Sequence, residues 1–207
     1  MKKRTAKKPK LVLTIGHSTR DLETFIGLLH GHDVTCVIDV RTVPRSRHNP
    51  QFNKESLPGA LHAAGIAYEH ILGLGGLRHT HADSPNKGWR NASFRGYADY
   101  MQTDRFEESL EMLIARAIKD RVVLMCAETV PWRCHRSLIA DALSVRGIPV
   151  EHILSTARTQ MHKLTPWVRI RGKQITYLEQ DCASREESAV NHRMTGIAAA
   201  GTREDAR

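Results

Sequence analysis

Apolar residues along this chain alternate between two rhythms. Five short, mostly apolar runs, at residues 11–15, 34–40, 66–72, 122–126 and 148–154, read as strands. Between them, apolar residues recur every three or four positions, as on one face of a helix. Asp21 is placed to cap the first helix, with Leu22, Phe25, Ile26 and Leu29 on one face and a stop near Gly31. A second helix is expected over 57–64, closed by Gly65. A short one is expected over 94–101, a longer one over 105–118 with Asp104 as its cap, and another from 137 to about Gly147. The nearly unbroken apolar character of 34–40 suits a strand covered on both faces. Residues 73–76 form a glycine loop, and the polar stretch 77–93 reads as an insertion or lid. Residues 165–178 alternate weakly, as in a hairpin about Gly172 and Lys173.

The resulting order, β-α-β-α-β-α-α-β-α-β, predicts an α/β three-layer sandwich. It would have a mostly parallel sheet of about five strands, helices on both faces and right-handed crossovers. One domain over 11–182 is expected, between a basic disordered arm at 1–10 and a disordered tail at 183–207 that lacks any apolar period. In such a sheet the C-terminal strand ends share one edge. That edge collects His17, Ser18, Asp39, Arg41, the glycine loop and Cys126.

The stretch from 122 to 136 carries the most chemistry. A buried strand runs into Cys126-Ala-Glu128, a loop with Pro131, Trp132 and Arg133, and then Cys134-His-Arg136 at a helix start. A thiol near a helix N-terminus and guanidinium groups is stabilised as a thiolate, and the same features attract anions. The residues expected to do chemistry are Cys126 as nucleophile or redox thiol, Glu128 as proton carrier, and His17. Ser18, Asp39, Arg41, Arg133, Cys134, His135 and Arg136 are expected to bind the substrate, with Arg41 as an anion clamp. The stretch differs from the loop of a cysteine-dependent phosphatase. Its run from Cys126 to Arg133 is one residue longer, and Pro131-Trp132 stands where such loops are small and glycine-rich.

Charge changes this picture little. The net charge is +9, but six of those charges lie in the first ten residues. The arm could touch nucleic acid weakly through phosphates, while the remaining body carries no forced basic face. With 41% hydrophobic residues, no apolar run near the roughly 18 residues of a membrane span, and no secretory leader, the chain is expected to be a cytoplasmic protein without membrane contact. Four cysteines in such a chain do not make a disulfide framework; Cys36 reads as a buried apolar residue and Cys182 as incidental.

Taken together, Thr14-Ile-Gly-His-Ser18, Asp39-Val-Arg41 with Pro44 and Ser46, Tyr68 before Leu74-Gly-Gly76, Cys126-Ala-Glu128 and Cys134-His-Arg136 resemble a bacterial family of proteins, domain of unknown function 488. The resemblance covers about residues 11–154. It implies a small domain with these signature blocks and brings no settled activity, so function rests on the site. The reading reached is an enzyme with a cysteine-centred site for an anionic substrate carrying phosphate, nucleotide or sulfur, with no cofactor or metal required. Two alternatives stay open. One is a nucleic-acid or nucleotide binder using Arg41, Arg45, Arg47, Arg78, Arg90 and Arg95 with Trp89 and Phe94. The other is a metal or dithiol redox site at Cys126 and Cys134, completed by His135 with His17 or His152.

Overall fold

Residues 11–179 are described by the computed structural model; the expected arm, the expected tail and Cys182 lie outside them. Five parallel strands, β1 (Val12–Gly16), β2 (Cys36–Asp39), β3 (Ala67–His70), β4 (Val122–Cys126) and β5 (Val150–Ser155), form the sheet, with β6 (Arg158–Met161) antiparallel on the β5 edge. The strand order is β3-β2-β4-β1-β5-β6. β1 and β4 are buried along their whole length, which accounts for their continuous apolar runs.

The helices are α1 (Leu22–Gly31), α2 (Leu57–Ala63), α3 (Ala92–Tyr100), α4 (Asp104–Lys119) and α5 (Arg136–Val145). Helices α1 and α2 cover one face through Phe25, Leu29, Leu57 and Leu61, packed on Leu13, Ile15, Val37 and Val123. The other three cover the opposite face through Tyr97, Leu110, Leu113 and Leu138, on Val12, Ile38, Val122 and Leu124. The three-layer α/β sandwich follows from this alternation of side chains along each strand.

Asp21 caps α1 as expected, accepting from the Thr24 amide at 2.6 Å. The cap of α4 lies one residue earlier than expected. Thr103, with extended backbone, accepts from the Phe106 amide at 3.3 Å, and Asp104 falls in the first turn, where the helix dipole favours it. Strand β6 is a sixth strand beyond the expected five. Its sequence, Arg-Thr-Gln-Met, has no apolar alternation because it is an exposed edge. The hairpin is present as β7 (Val168–Arg171) and β8 (Gln174–Tyr177), a separate two-stranded sheet turning at Gly172 with φ 61°. Among the described residues no helix is long and apolar enough to cross a membrane.

The strand order creates a switch point. From β1 the chain crosses over β4 to β2 by way of α1. From β4 it crosses over β1 to β5 by way of α5, on the opposite face. Adjacent strands whose connections leave in opposite directions open a crevice at their C-terminal ends, the place where open α/β sheets bind ligands.

Candidate functional site

The crevice is a cavity of about 680 Å³ at the ends of β1, β2 and β4. Its back wall is built by backbone. Beyond the last residues of β1, the His17 and Ser18 amides donate to the Cys126 and Ala127 carbonyls, each at 2.9 Å. This pairing draws the loop after β4 against the loop after β1. Gly16 lies so close that a Cβ there would stand 2.0 Å from the Glu128 carbonyl oxygen. Only a residue without a side chain permits that approach.

One side of the crevice is a buried polar network. Asp39, fully buried, accepts from the Arg41 amide at 3.0 Å, from Arg41 Nε at 2.9 Å and Nη2 at 2.6 Å, and from the Tyr68 hydroxyl at 2.8 Å. Arg41 Nη2 also donates to the Phe52 carbonyl, and Nη1 donates to His17 Nε2 at 3.3 Å. His17 in turn donates from Nδ1 to the Ser18 carbonyl at 2.8 Å and stacks on Phe52 at 4.2 Å. These partners set its tautomer. Burial pushes the His17 pKa down to about 4, so the ring is neutral. Asp39 does not line the cavity; it holds Arg41 in place, and Arg41 faces the cavity with a planar, prefixed guanidinium.

The other side is a sulfur cluster. Cys126 ends β4, and Cys134 stands just ahead of α5; both line the cavity, with 9% and 4% of their surface exposed. The two Sγ atoms and a ring nitrogen of His135 all lie within 4.8 Å of one another. His135 Nε2 donates to the Val40 carbonyl at 2.9 Å, so in the neutral ring Nδ1 is an acceptor, directed at Cys134 Sγ 3.8 Å away. Gly76 lies against this ring: a Cβ on Gly76 would fall 2.4 Å from Nδ1.

Arg136 is completely buried and donates from Nε to Cys134 Sγ at 3.3 Å and from Nη2 to the Glu128 carbonyl. Among the described residues no carboxylate forms an ion pair with it. The hydrogen bond from Cys126 holds the Cys134 thiol well below its usual range. Burial works against this, and His135 and Arg136 add to it. The same hydrogen bond, together with burial, pushes the Cys126 thiol up. Two thiols and an imidazole so placed could also hold a transition metal with one position open to the cavity.

A family model, Domain of unknown function DUF488, matches residues 21–143. The chain belongs to this family. No match was found among curated proteins or among solved structures. The DUF488 match contains Asp39, Arg41, Cys126, Glu128, Cys134, His135 and Arg136; His17 and Ser18 lie just before it.

Within this DUF488 domain, the cavity gathers His17, Ser18, Arg41, Cys126, Glu128, Arg133, Cys134 and His135 from the expected residues. Asp39 and Arg136 stand behind it, each bonded to a lining residue. Glu128 is exposed, and its Oε1 accepts from the Val130 amide at 3.3 Å. His152 is not part of the cavity. It belongs to a buried chain in which Thr14 Oγ1, His152, His162 and Asp141 bond in sequence at 2.8, 3.1 and 2.8 Å. Asp141 also accepts from the Thr165 and Tyr177 hydroxyls. His162, though its sequence neighbours are polar, is held inside this chain by His152 and Asp141.

Arg45, Thr42 and Asn49 also line the cavity, and sequence reasoning did not single out the last two. Their only signal was position after the strand end at Asp39. Of the arginines proposed for a basic surface, Arg78 lies over the Tyr100 ring at 3.7 Å and Arg95 donates to the Trp89 carbonyl. Both are committed to holding the polar stretch 77–91 in place.

Proposed function

We propose that the chain is a thiol-dependent enzyme that takes an anionic substrate into the crevice, with Cys134 as its thiolate. The observation that carries this reading is the contact between Cys134 and Arg136. A buried guanidinium without a carboxylate needs another anion, and the Cys134 sulfur at 3.3 Å is suited to be that anion. The start of α5 adds the positive end of a helix dipole. In this reading the nucleophile moves from Cys126 to Cys134. His135 Nδ1 takes the thiol proton and returns it to a leaving group. Arg41, Arg45 and Arg133 hold the anionic part of the substrate, the Ser18 hydroxyl adds a donor, and Glu128 exchanges protons at the rim. His17 and Asp39 act through Arg41, as positioning residues.

The test is the pH dependence of alkylation by iodoacetamide, followed residue by residue by mass spectrometry. Cys134 is expected to react with a midpoint well below the value of about 8.5 for an ordinary thiol. Cys126 should react only at alkaline pH. The cationic crevice should also raise the rate with anionic iodoacetate relative to iodoacetamide. A Cys134 that titrates like a free thiol, or reacts more slowly than Cys126, defeats the proposal.

The three donor atoms of Cys126, Cys134 and His135 favour a second reading, a metal centre with a position open to substrate. Arg136 weighs against it, since the site already has a cation at the sulfur and its neighbouring arginines repel a dication. Stoichiometric zinc in purified protein, lost in Cys134→Ser, would establish the metal reading.

A further inference from the structure

The proposed mechanism gives one group at the centre of the site no chemical step of its own, only a hydrogen bond to Cys134. Cys126 has its sulfur on the cavity wall facing Cys134, yet it binds no substrate group and has no cation of its own. The fold brings the two together from different elements. Cys126 ends a central strand, and its side chain lies on the face that α5 covers, next in line after Val122 and Leu124. Cys134 stands at the start of that helix. The seven residues between them make a closed detour, fastened by Arg136 to the Glu128 carbonyl and by the Cys134 amide to the Pro131 carbonyl at 3.0 Å. The sulfurs therefore meet across a fixed turn. A second thiol within reach of a first, beside one proton carrier and open to a small reagent, is the arrangement needed to resolve an oxidised or substituted sulfur.

We propose that Cys134 and Cys126 form a redox pair in which Cys134 reduces a hydroperoxide and Cys126 resolves the product as an intramolecular disulfide. This rests on the reading of Cys134 as the thiolate and adds the class of co-substrate. In the first step the Cys134 sulfur attacks the terminal oxygen of ROOH. An S–O bond forms, the O–O bond breaks, and the departing RO⁻ takes the proton that His135 had accepted from Cys134. The products are Cys134 sulfenic acid and ROH. In the second step Cys126 attacks the Cys134 sulfur. The S–O bond breaks, the S–S bond forms, and the hydroxyl leaves as water with the Cys126 proton. Cys134 is oxidised from thiol to sulfenic acid as the peroxide is reduced, and in the disulfide both sulfurs end oxidised by one electron each. Two equivalents of a small thiol return the pair to its reduced state and leave as their own disulfide.

The experiment treats the reduced full-length chain with one equivalent of hydrogen peroxide, blocks free thiols, and maps the tryptic peptides. Cleavage at Arg121, Arg133 and Arg136 releases Cys126 and Cys134 on separate peptides, so their disulfide appears as a linked pair that dithiothreitol separates. Cys126→Ser should stop at a Cys134 sulfenic acid that dimedone traps. Cys134→Ser should lose thiols to peroxide about tenfold more slowly or slower still, since an ordinary thiol is mostly protonated at neutral pH. A linked pair in the wild-type chain supports the proposal even where a variant folds poorly. If Cys134 alkylates as a low-pH thiolate yet the linked pair never forms, this inference falls and the thiolate reading stands. If Cys134 neither alkylates at low pH nor oxidises, both fall.

Discussion

Arg136 and Gly76 carry the chemistry of the cluster without touching a substrate. The guanidinium of Arg136 is the only full positive charge bonded to Cys134 among the described residues, through a hydrogen bond of the charge-assisted kind, worth about 1.5–3 kcal/mol. At about 1.36 kcal/mol per pH unit, its loss in Arg136→Leu should raise the alkylation midpoint of Cys134 by roughly one to two units. An unchanged midpoint would show that the guanidinium does not stabilise the sulfur. Gly76 acts through shape. A methyl group 2.4 Å from His135 Nδ1 must push the ring or the glycine loop aside, and overpacking of this kind costs about 1–3 kcal/mol. Gly76→Ala should therefore lower the unfolding midpoint and also slow alkylation of Cys134 near neutral pH, because Nδ1 leaves the sulfur. Gly59, whose Cβ would meet nothing within 4 Å, is the control.

At the scale of elements, the polar stretch 77–91 is an insertion fastened at both ends rather than a free flap. Asp99 on α3 accepts from Thr80 Oγ1 at 3.0 Å, the His81 amide at 3.1 Å, Ser84 Oγ at 2.5 Å and Asn86 Nδ2 at 2.8 Å. Trp89 packs against Phe94, Trp167 and Tyr177, tying the stretch to the hairpin. Asp99→Asn turns one acceptor oxygen into a donor facing other donors, an unsatisfied arrangement costing about 1–3 kcal/mol. Trypsin should then cut at Arg78, Lys87 or Arg90 several-fold faster, with a smaller effect on global unfolding; equal cleavage rates would mean that Asp99 does not hold the segment. Which residues fasten it was not legible in the sequence, where 77–93 shows polar residues, Gly88 and a lone Trp89, because the partners lie on α3 and the hairpin. The helices and buried strands were legible, since a sheet covered on both faces forces long apolar runs and helical spacing between them. Strand β6 was not, because an exposed edge needs no apolar side. The Cys126 and Cys134-His-Arg136 blocks were visible, but not which sulfur is the better thiolate. That depends first on the Cys126 thiol donating to the Cys134 sulfur and then on Arg136 turning inward to it, whereas the sequence alone places Arg136 on the substrate.

For the whole molecule, the strand order decides which histidines the fold buries as neutral groups. Because β1 lies between β4 and β5, His17 at its end is sealed against Phe52, and His152 on β5 is sealed beside Thr14 and His162. Burial lowers the pKa of each to about 4, with the His17 value also reduced by Arg41 and that of His152 by His162. In the unfolded chain both return to about 6.5. Above that value neither state binds a proton at these rings, and the stability they allow is complete. Between about pH 6.5 and 4 the unfolded chain takes up protons that the folded chain refuses, so stability falls as pH falls through this window. At about pH 5 the loss is about 2 kcal/mol for each ring, and on the order of 3–4 kcal/mol together, by the same 1.36 kcal/mol per unit. Urea unfolding at about pH 7.5 and about pH 5 should show this drop. His17→Phe, which keeps the stack on Phe52 but cannot protonate, should be less stable at the higher pH for want of the Arg41 bond, yet lose only about half as much on acidification. Equal stability of the wild-type chain at the two pH values would mean that the rings are reached by water, and that the wall of the crevice is looser than its hydrogen bonds imply.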